Sequence, residues 1–212
     1  MVSQKTFLFD FDGTIADTFS VALEIINDNA ENYGFKKIQS IELPRLRDLS
    51  PWQFLQEFKV PLYKLPFFIS RFQSELYNNI HRVQPFAGLP EVFHQLYKSG
   101  CHLGIITSNS EKNVKLFLDN NELGMFDFIH NERNLFGKSH TINKVIRQFK
   151  LEKKDVMYVG DEVRDVVASQ KSGIGVVAVA WGFNSESVLK SYNPTFLVHS
   201  PQQLLDIFNT WK

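Results

Sequence analysis

The sequence predicts an α/β fold in which a parallel sheet carries helices on both faces. Apolar runs typical of strands recur along the 212 residues and are separated mostly by helical patterns. They fall near residues 5–10, 102–107, 126–130, 155–160, 175–180 and 195–198. This alternation favours parallel strands joined by helical crossovers.

A second observation is that strands and helices do not alternate in the segment between the first two strands. It contains helical patterns at about 19–32, 51–58 and 62–79 and no strand pattern. We therefore expect a helical insertion, residues 17–83, in an α/β core formed by residues 1–16 and 84–212. Asp17 and Thr18 are interpreted as the hinge and N-cap of the first inserted helix, with capping alone as the simpler role for Asp17.

Proline and glycine mark the ends of several helices in the core. Pro90 lies near the start of a helix over 91–99, and Gly100 follows its end. Ser110 is placed to cap the helix that runs to residue 120, and another helix ends at Gly173. These signals support the alternating arrangement.

Composition excludes several classes of function. The chain is 43% hydrophobic and 22% charged with a formal net charge of zero, which is ordinary for a globular protein and indicates neither a nucleic-acid nor a membrane partner. Its one cysteine, Cys101, excludes an intrachain disulfide framework, and its six histidines share no zinc-ligand spacing. With no secretory signal or membrane span in the pattern, we expect a cytoplasmic monomer or homodimer. The 20 phenylalanines are expected to fill the core and its interfaces.

Asp10 and Asp12 follow the first apolar run and are separated by one residue. In an extended chain alternate side chains share a face, so the two carboxylates can converge, and Gly13 permits a sharp turn beneath them. Such a pair is suited to a metal ion and to nucleophilic chemistry. The alternative is a strand that simply ends in an Asp-Gly turn.

Polar residues also follow other predicted strands. The run 104–106 ends in Thr107, Ser108 and Asn109, and the run 156–160 is followed by Asp161 and, four residues later, by Asp165. A lysine, Lys138, precedes a helical pattern. Because ligands in open α/β sheets lie beyond the carboxyl ends of the strands, these elements can surround one site.

In this order the elements resemble the four motifs of the haloacid dehalogenase superfamily, in the branch with a helical cap that includes phosphoglycolate phosphatase. The resemblance covers nearly the whole chain. It implies a Rossmann-like three-layer core with an inserted cap that closes over the site. It also implies a Mg²⁺-dependent phosphatase that acts on a small soluble phosphorylated metabolite, similar to phosphoglycolate, through an aspartyl-phosphate intermediate.

The resemblance assigns a role to each of these residues. Asp10 is the nucleophile and Asp12 the general acid and base, while Thr107, Ser108 and Asn109 bind the phosphate. Lys138 holds both the nucleophile and the phosphate. The residues implied for Mg²⁺ are Asp10 and Asp161 through their side chains, Asp12 through its backbone carbonyl, and Asp165 as an orienting group behind them.

Each assignment has a simpler alternative. Thr107 can cap the helix that follows it, and Lys138 can be one of several solvated lysines. Asp165 can be an ordinary acidic residue in the first turn of a helix, and Glu162 is an alternative acidic partner.

Within the insertion, Arg45 and Arg47 are two residues apart. If the segment 43–48 is extended, both guanidinium groups point the same way, and Arg47 can bind a carboxylate on the substrate. The alternative is a solvated loop in which the arginines pair with Glu42 or Asp48.

Two rival functions share these motifs. The first is a phosphomutase, but the basic residue expected in the cap soon after Ser50 is absent, since Pro51, Trp52 and Gln53 follow. The second is a non-catalytic protein that binds a phosphorylated ligand on the same scaffold. The joint presence of nucleophile, acid, metal ligands and lysine argues against it.

Overall fold

The computed structural model describes residues 4–49, 51–131 and 137–211. Six strands in these residues form one parallel sheet in the order β3-β2-β1-β4-β5-β6. They are β1 Thr6–Phe9, β2 His102–Thr107, β3 Phe128–Asn131, β4 Val156–Gly160, β5 Gly175–Val179 and β6 Phe196–Val198. The strands predicted from the sequence are thus confirmed, with small differences at their ends.

Helices cover both faces of this sheet, as predicted. Those after the helical segment are α5 Leu89–Lys98, α6 Glu111–Asn120, α7 Lys138–Gln148, α8 Val163–Ser172, α9 Glu186–Ser191 and α10 Gln202–Thr210. Buried residues of α5, α6 and α10 form one apolar cluster, and those of α7 and the α8 residue Ala168 belong to another. The α/β fold class is therefore correct.

Strand β1 shows why the sheet is buried on both sides. Phe7 and Phe9 join the first cluster, whereas Leu8 between them joins the second beside Tyr158. The ring of Phe9 meets Phe93 of α5 edge to face at 5.1 Å between centroids. Full burial of β1 fixes the position of the residues that follow it.

The residues between β1 and α5 are helical wherever the structure describes them as regular elements. They form α1 Phe19–Tyr33, α2 Leu43–Leu46, α3 Pro51–Glu57 and α4 Leu65–Asn79, with short 3₁₀ turns between them. Helix α4 begins three residues later than predicted, because Pro66 lies in its first turn and a 3₁₀ turn over Leu62–Lys64 precedes it.

The segment leaves and rejoins the core at one place. The Asp17 N–H donates to the Gln84 carbonyl at 2.9 Å, and Ala16 forms a bridge with Pro85. The expected cap of α1 is wrong in one respect. Thr18 holds the N-cap position, but its side chain makes no capping bond.

No helix in the described ranges combines the length and apolar character needed to cross a bilayer.

Candidate active site

The ends of three neighbouring strands bring the candidate residues together. Strand β1 pairs with β2 on one side and with β4 on the other. Asp10 follows β1, Thr107 is the last residue of β2, and Asp161 follows β4. Three segments that lie far apart in sequence therefore meet at one edge of the sheet.

Lys138, the first residue of α7, connects two of the carboxylates. Its Nζ donates to Asp10 Oδ2 at 2.7 Å and also to Asp165 Oδ1. Only 4% of Lys138 is exposed. Burial alone would lower the pKa of Lys138, but the charges of Asp10 and Asp165 outweigh this effect and raise it. The lysine is therefore a fixed cation and not a solvated surface residue.

Asp161 is held by two donors from other segments. The Thr14 hydroxyl donates to its Oδ1 and the Phe183 N–H to its Oδ2, each at 2.6 Å. Two glycines make room for the side chain, since a Cβ on Gly13 or Gly182 would overlap it. The tight packing fixes the direction of the carboxylate.

The buried acids carry more negative charge than the nearby lysine neutralises. Burial and the neighbouring charges of Glu162, Asp165 and Asp10 raise the pKa of Asp161 well above its usual range. Carboxylate oxygens of Asp10, Asp161 and Asp165 lie within 4.8 Å of one another. Such a cluster of buried oxygen donors is suited to a hard divalent cation.

Asp12 differs from these residues because it reaches the open part of the site. Burial, followed by the charge of Asp10, raises the pKa of Asp12 to about 6. The Asn109 side-chain amide donates to both of its carboxylate oxygens, at 3.1 and 3.0 Å. A carboxyl group with this pKa can hold and release a proton near neutral pH.

The residues after β2 use much of their hydrogen-bonding capacity locally. The Thr107 hydroxyl oxygen accepts from the Asn109 N–H at 3.0 Å, so its proton can be donated elsewhere. The hydroxyl of Ser110 caps α6, as predicted, by accepting from the Asn113 N–H. The Ser108 carbonyl accepts from Gln73 Nε2 of α4 at 3.2 Å, which links this loop to the helical segment.

One charged side chain in the site, that of Arg164, was not predicted from the sequence. Its Nη2 donates to Glu162 Oε1 at 2.7 Å and lies 4.0 Å from Asp10 Oδ2. Glu162 itself caps α8 in a reciprocal arrangement with Asp165. The available signal was an arginine inside the acidic run 161–165, at the start of a helix that follows a strand.

The expected common direction of Arg45 and Arg47 is wrong. The segment is helical over Leu43–Leu46 and not extended, with Pro44 in its first turn, a position that proline tolerates. Arg45 forms an exposed ion pair with Glu57, which is neither of the partners considered from the sequence.

Arg47 turns toward the core instead. Its Nε donates to the Phe183 carbonyl at 2.9 Å and its Nη2 to the Gly182 carbonyl at 2.7 Å. Within the described part of the chain no carboxylate lies in ion-pair contact with it. Its charge is thus fixed in position but not neutralised.

A cavity of about 730 Å³ lies between the helical segment and the edge of the sheet. From the core it is lined by Asp12, Gly13, Glu162 and the turn Trp181–Phe183, and from the other side by Pro44, Arg47 and Phe72 among others. It gives Asp12 access to a bound molecule.

Two further points concern residues outside this cavity. Burial raises the pKa of Cys101 to about 12, so this thiol is a packed apolar group. The Ser50 position and the 132–136 stretch before Lys138, including Leu135 and Phe136, lie outside the described residues.

Comparison with known proteins agrees with this geometry. The family model for haloacid dehalogenase-like hydrolases matches residues 7–179. The phosphoglycolate phosphatase of Synechococcus elongatus is 30% identical over 202 residues, which are 95% of each chain. The pyrophosphatase PpaX of Bacillus mycoides is 24% identical over 97% of each chain.

A solved structure shows the same fold. The haloacid dehalogenase-like hydrolase of Streptococcus pneumoniae superposes with a TM-score of 0.81 at 21% identity, over 98% of this chain and all of that one. The match of the family model extends from β1 to the end of β5 and includes each strand end at the site. The chain is therefore a homologue of phosphoglycolate phosphatase and belongs to the haloacid dehalogenase-like hydrolase family.

Proposed function

We propose that this protein is a Mg²⁺-dependent phosphatase that hydrolyses a small phosphomonoester through an aspartyl phosphate formed on Asp10. The observation that carries the proposal is the pairing of two different carboxyl groups. Asp10 is held by Lys138 at 2.7 Å, while Asp12, two residues later, has a pKa of about 6 and faces the cavity. One group is suited to attack and the other to proton transfer.

The residues present fit a magnesium ion. The donors are oxygens. Burial, together with neighbouring negative charge that a divalent cation would offset, raises the pKa of Asp161. Asp10 and Asp161 would hold it through their side chains and Asp12 through its backbone carbonyl, with Asp165 behind them. The ion would supply positive charge to the phosphoryl oxygens.

The protein's own groups account for the steps of the reaction. The Phe11 N–H donates to Asp10 Oδ1 at 2.8 Å and Lys138 holds Oδ2, so the carboxylate is oriented before it attacks phosphorus. Asp12 gives its proton to the leaving alkoxide. It then takes a proton from the water that hydrolyses the aspartyl phosphate.

The loop after β2 would hold the phosphoryl oxygens. The Thr107 hydroxyl accepts from the Asn109 backbone, which leaves its proton for a phosphate oxygen, and the Ser108 N–H is the second donor assigned here. For Asn109, which the sequence assigned to substrate binding, the contacts support a second role. Its side-chain amide donates to Asp12, so it would orient the acid.

The helical segment would act as a cap, with residues 17–83 as the cap and residues 1–16 and 84–212 as the core. Support comes from the chain crossings at the Asp17–Gln84 bond and the Ala16–Pro85 bridge, and from the cavity between the two parts. Arg47 would bind a carboxylate on the leaving group. Phosphoglycolate, the substrate in the name of the cyanobacterial relative, has such a carboxylate.

The proposal is tested with purified protein and two substrates, p-nitrophenyl phosphate and phosphoglycolate. We expect hydrolysis that EDTA abolishes and Mg²⁺ restores, and an Asp161→Asn variant that needs more Mg²⁺ and binds it more weakly in calorimetry. Asp10→Asn is nearly isosteric and should fold normally while losing activity by about 10³-fold or more. Full activity in EDTA, or in Asp10→Asn, would exclude the proposed chemistry.

A further inference from the structure

Arg164 places a positive charge inside the site that the proposed mechanism does not use. Its side chain is 19% exposed, and its Nη2 lies 4.0 Å from Asp10 Oδ2, on the carboxylate that would attack phosphorus. Its charge also partly offsets the burial that raises the pKa values of Asp12 and Asp165. The guanidinium is therefore close to several acids at once.

This position is unfavourable for an arginine. Arg164 is the second residue of α8, and a cation in the first turn opposes the positive end of the helix dipole. Its Nε is buried, and no hydrogen-bond partner for it exists among the residues described. A buried donor without a partner destabilises the fold, so helix stability does not explain the residue.

The chemistry of the site supplies a reason. A phosphoryl dianion that enters beside four aspartates needs more positive charge than Lys138 can give. Lys138 already donates to Asp10 and to Asp165, so two carboxylates share its charge. A guanidinium can donate two hydrogen bonds to a phosphoryl group, and Arg164 has an unused Nε–H for this purpose.

We propose that Arg164 binds the transferring phosphoryl group and that Glu162 holds its guanidinium until phosphate arrives. Glu162 lines the cavity, so water can solvate its carboxylate once Arg164 turns away. The inference rests on the proposed function in taking a phosphoryl group as the ligand. It adds a second protein cation near Asp10 Oδ2, the oxygen to which Lys138 donates.

Direct binding of inorganic phosphate in the presence of Mg²⁺, measured by calorimetry on the full chain, tests the assignment. We expect Arg164→Gln to weaken binding by about 10- to 100-fold, the effect of losing hydrogen bonds from a charged donor. Arg164→Lys should lie between this variant and the wild type. Glu162→Gln should bind phosphate more tightly, because the competitor for Arg164 is gone.

Lys171, which is exposed in the last turn of the same helix, provides the matched control. Lys171→Gln removes one positive charge from α8 and should leave phosphate affinity unchanged. The assignment is overturned if Arg164→Gln binds phosphate as the wild type does, or if Glu162→Gln weakens binding as much as Arg164→Gln. The second result would mean that the ion pair is only structural.

The two proposals can fail separately. Phosphate binding that depends on Arg164, in a protein that does not hydrolyse p-nitrophenyl phosphate, would remove the activity and keep the assignment. Hydrolysis of p-nitrophenyl phosphate, together with unchanged phosphate affinity in Arg164→Gln, would keep the proposed activity and remove the assignment of Arg164. If Arg164→Gln does not fold, Arg164→Lys and Glu162→Gln still decide the question.

Discussion

The two walls of the cavity are built differently. The core wall is lined by Asp12, Gly13, Glu162 and the turn Trp181–Phe183. Next to it, Asp10, Lys138 and Asp161 are between 0% and 4% exposed, and hydrogen bonds join each of them to another segment. On the other side, residues of the helical segment such as Pro44 and Arg47 face the cavity from short, partly exposed elements. Under the proposed function, the core wall would bind the phosphoryl group that all phosphomonoesters share, and the helical wall, lined by Pro44, Arg47 and Phe72 among others, would bind the part of the substrate that varies.

One loop joins the two walls. Within Gly182–Ser185, the Phe183 N–H donates to Asp161 Oδ2 at 2.6 Å and the Ser185 N–H donates to the Arg47 carbonyl at 3.1 Å. The Asn184 side-chain amide also donates to that carbonyl, at 2.7 Å. A candidate metal ligand and a candidate specificity residue are thus connected through the backbone of four residues.

The largest expected effect concerns proton transfer by Asp12, which lines the core wall. Asp12→Asn keeps the nucleophile but cannot protonate a leaving group. We expect kcat for a poor leaving group such as an alkyl phosphate to fall by about 10²- to 10⁴-fold. With p-nitrophenyl phosphate the loss should be much smaller, because p-nitrophenolate leaves without a proton. Steady-state kinetics on the two substrates measures the difference.

Equal losses on both substrates would contradict the role of Asp12 as an acid. As a control for folding, the thermal unfolding temperature of Asp12→Asn is compared with that of the wild type. Asn109 donates to both oxygens of Asp12, so a shift of this temperature in Asp12→Asn would report loss of that contact.

The core wall could be predicted from the sequence because local pattern and topology agree there. Strand β1 is fully buried, so its apolar residues identify it, and the polar residues that follow it must lie at the carboxyl edge. The partners that hold these residues were not predictable. Thr14 and Phe183 reach Asp161 from turns 147 and 22 residues away, and nothing in their own pattern indicates that contact.

The helical wall was harder to predict for a physical reason. A short segment such as 43–48 has little local preference between an extended and a helical form, and Pro44 is compatible with both. The helical outcome separates Arg45, which pairs with Glu57, from Arg47, which reaches the core. The same limit applies to Arg164, whose ion pair with Glu162 depends on the direction of side chains in one helical turn.

The next prediction tests whether the helical wall selects the substrate. Arg47→Ala should lower kcat/KM for phosphoglycolate by about 1.5 to 3 kcal/mol, the value of a hydrogen bond to a charged group. It should leave turnover of p-nitrophenyl phosphate nearly unchanged, since that substrate has no carboxylate. Arg45→Ala is the matched control, because Arg45 is an exposed arginine of the same segment that pairs with Glu57.

A parallel loss on both substrates in Arg47→Ala would assign Arg47 to holding the Gly182–Ser185 loop and not to recognition. Its bonds to the Gly182 and Phe183 carbonyls make that alternative measurable. In that case the Mg²⁺ requirement should rise together with the loss of activity, since Phe183 also holds Asp161.

The smallest effect concerns the loop itself. A methyl group at position 182 would overlap the Asp161 side chain and the Gly13 carbonyl oxygen, so Gly182→Ala must displace one of them. We expect a loss of about 1 to 3 kcal/mol in the free energy of unfolding, measured with urea, and weaker Mg²⁺ binding in calorimetry.

Gly124→Ala is the control, because no atom lies within 4 Å of the added methyl group there. Its stability should change by no more than about 0.5 kcal/mol. If Gly182→Ala matches this control in stability and in Mg²⁺ affinity, the loop does not couple the two walls, and they must be treated as independent.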